Sequence, residues 1–159
     1  MEFSPEYLYD LINKQEVNEA NPHIISLIND GHFSTALNVA DYMLTVDKNN
    51  VLLLNNKAHC MIALHSGEHP SDLDIAEYIV KKAISIESTQ PKFYITLAEI
   101  YLKMGTINEA ILTLNKLVSN VPAIYLTSSI RQEVVDLLVT KNWKGADLFL
   151  LDDLINTST

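Results

Sequence analysis

The chain has 159 residues, of which 48% are hydrophobic and 19% charged, with a formal net charge of −9. That balance excludes an intrinsically disordered chain, and the length suffices for a core without disulfide or metal staples. The acidic charge argues against general binding to nucleic acid or to anionic membranes. It is unevenly placed, with net −7 over residues 1–47 and net −2 over residues 48–159. Such a face either draws a basic partner segment or only solubilises the fold. A lone cysteine, Cys60, fits a reducing compartment. The acidic start MEFSPEYLYD is unlike a secretory signal, and no apolar run reaches the ~18–20 residues needed to cross a bilayer. The expectation is a cytoplasmic protein with no membrane insertion.

Ser4-Pro5-Glu6 places a cap residue before Pro at a first helical position, which predicts an N-terminal helix over residues 4–16. Its apolar face is Phe3, Tyr7, Leu8, Leu11 and Ile12. Pro22 predicts the start of a short helix that runs to Asn29, with Ile24, Ile25, Leu27 and Ile28 apolar. Gly31 marks a turn, after which Phe33, Ala36, Ala40 and Met43 form a helical stripe. Residues 51–88 hold a helix around Ala58, a long turn at SGEHPSDLD, and a second helix with Ala76 and Ala83. Asp72 or Asp74 is the expected cap of that second helix.

The clearest unit is residues 91–122. Tyr94, Leu97, Ala98 and Tyr101 share one helical face, Gly105 ends that helix, and Thr106 is the expected cap of the next. Ile107, Ala110, Ile111, Leu114 and Leu117 make the second stripe, and Pro122 closes the unit. Residues 124–140 read as one more helix with Ile130, Val134, Leu137 and Leu138 apolar, and Leu148 to Ile155 as the last. There is no alternating strand pattern and no Asn-Gly or Asp-Gly turn.

These segments repeat one another. Gly31, Phe33, Ala36, Ala40, Met43 and Asp47 occupy the places of Gly105, Ile107, Ala110, Leu114, Leu117 and Val121. Ala58 matches Ala98, Ala76 matches Ala110 and Ala83 matches Leu117. The step from Ala36 to Ala76 is 40 residues where Ala76 to Ala110 is 34, so the middle turn carries six extra residues. More loosely, Lys141, Trp143 and Ala146 stand where Gly105, Ile107 and Ala110 stand.

Residues 91–122 resemble a tetratricopeptide repeat (TPR), with Tyr94, Leu97, Ala98, Tyr101, Gly105, Ala110, Leu114, Leu117 and Pro122 on its signature positions. Leu114 and Leu117 depart from the more usual aromatic and alanine. The resemblance implies an all-α fold: a short right-handed α-solenoid of about three helix-turn-helix units with N-terminal and C-terminal capping helices. The units would be residues 22–50, 51–88 and 91–122, with a degenerate repeat or cap at 124–155, all in a single domain over 1–159. Open ends of such a stack are sticky, so the terminal helices either fold back as caps or pair with a partner, a homodimer among the options.

In this family the first helix of each unit lines a concave groove. That places Ile25, Ile28, Asn55, Asn56, His59, Ile62, Lys92, Ile95, Glu99, Leu102 and Lys103 at the expected partner-binding surface, with Asn21, Asn29, Leu52, Ala63 and Thr96 beside them. Apolar anchors among amides and single charges suit an extended or helical peptide. The competing reading is that Ile25, Ile62 and Leu102 are packed by the next helix. The carboxylate clamp of some family members is not expected. Asn56 and Lys92 match two of its five positions, but Asn21 and Thr96 replace its lysine and arginine and Ile25 its asparagine, which removes most charge-assisted hydrogen bonding.

Catalytic and metal chemistry find little support. His65 and His69 are four apart, but Gly67 and Pro70 make their segment a loop. Cys60 lies on an apolar helix and reads as a buried, inert thiol. Tyr42 and Trp143 read as core or cap residues, and no nucleophile, phosphate-loop or zinc-protease motif occurs. No enzyme, cofactor or metal is expected. Two functions remain. One is an adaptor or chaperone that holds a partner peptide in the groove, and small acidic TPR chaperones of type III secretion resemble this chain in length, acidity and architecture. The other is a structural subunit that uses its apolar ends.

Overall fold

A computed structural model describes residues 17–139 of the chain. The expected helix over 4–16, with Phe3, Tyr7, Leu8, Leu11 and Ile12, lies outside the described residues. So do Lys141, Trp143, Ala146 and the segment 148–155. Among the described residues every regular element is helical. The chain divides into two compact units, one up to Ile86 and one from Glu87.

The first unit holds α1 (Val17–Asn29), α2 (Phe33–Val46), α3 (Val51–Leu64) and α4 (Ser71–Ile86). Successive helices pack against one another, and α1 also lies against α3. The core is Ala20, Ile24, Leu27, Ala36, Val39, Ala40, Met43, Leu53 and Cys60, with Ile28 and Phe33 packed at its edge. The alanines at 36, 40, 58, 76 and 83 are fully buried. A methyl side chain at these positions lets the two helix axes of each pair approach closely.

The second unit holds α5 (Pro91–Met104), α6 (Ile107–Asn120), a single 3₁₀ turn (Ala123–Tyr125) and α7 (Ser128–Val139). Here α5 packs against both α6 and α7. It therefore buries residues on two sides: Phe93, Tyr94, Ile95, Thr96, Leu97, Ala98, Ile100 and Tyr101. Leu114 and Leu117 of α6 and Val134 of α7 complete this core.

The same turn closes α1 and α5. Gly31 has φ +81° and Gly105 φ +80°. The N–H of Gly31 donates to the Ile28 carbonyl and that of His32 to the Leu27 carbonyl; Gly105 and Thr106 repeat this toward Leu102 and Tyr101. This is the Schellman pattern, which satisfies the orphan carbonyls of the last helical turn and requires a left-handed residue.

Several local expectations are corrected. Pro22 is interior to α1, not at its start. The ring deletes one helical N–H, and burial of Ala20 and Ile24 on either side offsets that loss. Thr106 precedes α6 without capping it, because its hydroxyl donates back to the Tyr101 carbonyl at 3.2 Å. Asp72 and Asp74 lie within the first turn of α4, where they complement the helix dipole. The helix expected from 124 starts at Ser128, and Thr127 Oγ1 accepts from the Ile130 N–H at 3.3 Å. Tyr42 and Ile107 are exposed and do not join the core.

Candidate functional site

The surface expected from the first helices of each repeat can be followed unit by unit. In the first unit it runs along α1 and α3. Asn56 Nδ2 donates to Asn21 Oδ1 at 3.0 Å, which ties the two helices by an amide pair. Asn21 is buried by this contact, so it is a structural tie and no longer an open amide. Ile25, one turn beyond Asn21, is 48% exposed, and Leu52, one turn before Asn56, is also 48% exposed. Ile28 is half-buried against the core, and Asn55 and His59 are half-buried on α3. The Asn55 Oδ1 atom is buried without a hydrogen-bond partner. Ile62 is only 5% exposed. A helix packed by α1, α2 and α4 has little free perimeter, and Ile62 falls within the covered part.

In the second unit the surface runs along α5 beside α7. Ile95 is 4% exposed, because α5 is covered on two sides, so it is a core residue. Thr96 is buried and its hydroxyl donates to the Lys92 carbonyl at 3.0 Å. Lys92, Thr96, Glu99 and Lys103 lie on one stripe at helical spacing, with Leu102 half-buried beside them. Lys92 Nζ lies 3.8 Å from Glu133 Oε1 of α7, an exposed and therefore weak pair. The Glu99 carboxyl sits above its ordinary pKa. Burial is the main cause, the Glu133 carboxylate adds to it, and Lys103 opposes it.

The structure thus leaves Ile25, Lys92 and Lys103 exposed, with Ile28, Asn55, Asn56, His59, Glu99 and Leu102 half-buried. Two features had no signal in the sequence: the Asn21–Asn56 tie and the closeness of Glu99 to Glu133. Each joins residues more than thirty positions apart.

Cys60 is fully buried, and burial, then the Asp41 carboxylate, push its thiol up to about 11. It is protonated at neutral pH and is no nucleophile. Among the described residues no group of three His, Cys, Asp or Glu side chains could hold a metal ion. Among the same residues no helix is long and apolar enough to cross a membrane.

No protein-family model and no curated protein matches the chain. A solved structure does: the type III secretion translocator chaperone SycD of Yersinia enterocolitica, crystallised as an alternative dimer. It aligns with a TM-score of 0.57 at 16% sequence identity, over 80% of this chain and 95% of that one. The fold is a TPR-like helical repeat. At this identity the likeness speaks to the backbone and not to the ligand.

Proposed function

We propose that this chain is a non-catalytic chaperone or adaptor that holds a segment of a partner protein against the first helices of its repeats. Two observations support the reading: the TPR-like fold shared with SycD, and the two exposed aliphatic side chains on adjacent helices α1 and α3. The second carries it. Ile25 and Leu52 sit beside half-buried Asn55, Asn56 and His59, so apolar anchors alternate with groups that can hydrogen-bond a peptide backbone. In the second unit, Lys92, Glu99, Leu102 and Lys103 offer a more charged stripe for the same purpose. Ile62 and Ile95 are omitted from this surface because they are buried.

The concrete form is a cytoplasmic, secretion-type chaperone that keeps a subunit soluble before export. Burying the exposed half of two aliphatic anchors on a partner would contribute about 1 kcal/mol each before ordering costs. The test is affinity capture from the native host with quantitative mass spectrometry, comparing the wild type with the double variant Ile25→Glu, Leu52→Glu. Both positions are exposed, so helicity should be unchanged. One small partner in equimolar amount, lost with the folded double variant, is the expected result. Several proteins in fixed ratio, retained by the variant, would replace this reading with that of a structural subunit.

A further inference from the structure

Among the described residues, Ile25 is the one exposed large hydrophobic side chain of α1. The helix is covered by α2 and α3, and its other exposed side chains include Glu19, Pro22 and Asn29. The apolar point on its free perimeter therefore borders α3. Ile25 is one turn after Asn21, whose amide is tied to Asn56, and Leu52 is one turn before Asn56.

Residues 1–16 lead directly into α1 and lie outside the described residues. Their sequence carries the apolar stripe Phe3, Tyr7, Leu8, Leu11 and Ile12, with Glu2, Glu6 and Asp10 at every fourth position on the other side. An isolated helix this short is marginal in water, so the stripe needs a surface to form against. Asn13, Lys14, Gln15 and Glu16 are four polar residues between the stripe and Val17. A connection of that length is enough to join two helices, and a short one makes them antiparallel neighbours.

The lengths agree. With the reversal at 13–16, Ile12 falls level with Val17, and Phe3, nine residues further from the turn, falls level with Ser26. The stripe is about 13 Å long, and α1 from Val17 to Ile25 is about 12 Å. Leu52 lies one turn, about 6 Å, from the level of the Asn21–Asn56 tie, inside the same stretch whichever way α3 runs. Ile25, Leu52, Asn55 and Asn56 carry no charge, so an acidic segment meets no repulsion from them, and Glu2, Glu6 and Asp10 stay in water.

Taking the α1–α3 face as the partner surface proposed above, we infer that residues 3–12 fold back along α1 and cover Ile25 and Leu52 in the free chain, so that a partner segment must displace them. A segment held by so short a connection acts at an effective concentration of about millimolar. The partner's apparent affinity is lowered to the fraction of chains whose face is open.

The test is photo-crosslinking of the purified full chain, with the photoreactive residue placed in turn at Ile25, Leu52, Tyr78 and Leu112 and equal amounts of isotopically light and heavy copies mixed. Positions 25 and 52 should crosslink to peptides within residues 3–12, light to light and heavy to heavy only, and positions 78 and 112 should not reach those peptides. Tyr7→Glu with Leu11→Glu should lower the yield about tenfold or more, whereas Tyr7→Phe, which keeps the ring, should retain it. Crosslinks from 25 and 52 to other parts of the chain, no crosslink, or light-to-heavy products alone would overturn the fold-back, the last by making a second copy the occupant. The two readings fail separately. Fold-back crosslinks together with a partner that the Ile25→Glu, Leu52→Glu variant retains would refute the partner face alone; loss of the partner without these crosslinks would refute the fold-back alone.

Discussion

Replacing Gly105 by alanine isolates the backbone term of the turn that joins α5 to α6. At φ +80° an L-residue pays about 1–2 kcal/mol for the contact of its Cβ with the following carbonyl. An added Cβ at this position meets no other atom within 4 Å, so no packing clash contributes. Alanine also restricts the unfolded chain, which returns about 0.4–1 kcal/mol. The net expected loss is therefore about 1 kcal/mol. That is about 2–4 °C in Tm if the chain unfolds as one, and about 4–8 °C if the second unit unfolds alone. Gly31 makes the same two hydrogen-bond closures at φ +81°, again with nothing within 4 Å, so Gly31→Ala should lose the same amount in the first unit. Asparagine, which tolerates the left-handed region, should lose less than alanine at both sites. Urea denaturation followed by circular dichroism measures all four variants. A Gly105→Ala protein as stable as the wild type would refute the strain argument. A loss above about 3 kcal/mol would show that the turn holds contacts the geometry does not reveal.

Three further outcomes are expected. Ile24→Ala, in the fully buried core of the first unit, should lose about 2–5 kcal/mol, while Ile25→Ala, its exposed neighbour, should stay within about 0.5 kcal/mol; equal losses in denaturant melts would contradict the assigned face of α1. Because the folded Glu99 carboxyl holds its proton more tightly than the unfolded one, the unfolded state releases protons first as pH rises through the carboxylate range. Stability of the wild type should then fall relative to Glu99→Gln as pH rises above the ordinary glutamate pKa of about 4.3, and melting curves that keep a constant difference there would disprove it. Cys60 should resist a thiol-specific disulfide reagent in the native state at pH 8 and react in urea, since its pKa is about 11 and its sulfur is buried; fast native labelling would mean that α3 opens locally.

The repeat was legible where its chemistry is local. Alanine at 36, 58, 76, 98 and 110 reports close helix approach, and Gly31 and Gly105 report the left-handed turn, because each requirement is met by the residue itself. Proline 22 misled for the opposite reason. Its preference for a helix start is weak beside the burial of α1 on both sides of it. The helical face of 94, 97, 98 and 101 identified the core side of α5 but left Ile95 to the surface, since one stripe cannot show that α7 covers a second side. Ile62 failed likewise, on a helix with three neighbours. Thr106 could cap either forward or backward, and only the three-dimensional turn decides that it bonds Tyr101.

The central claim is that a partner protein is held on the α1–α3 face of the first unit. Site-specific photo-crosslinking in the native host tests it most directly, with the photoreactive residue placed in turn at Ile25, Leu52 and, as controls on other exposed faces, Tyr78 and Leu112. The account predicts one discrete adduct to the same partner from positions 25 and 52, absent from positions 78 and 112. Adducts to that partner from 112 or 78, with none from 25 and 52, would contradict it.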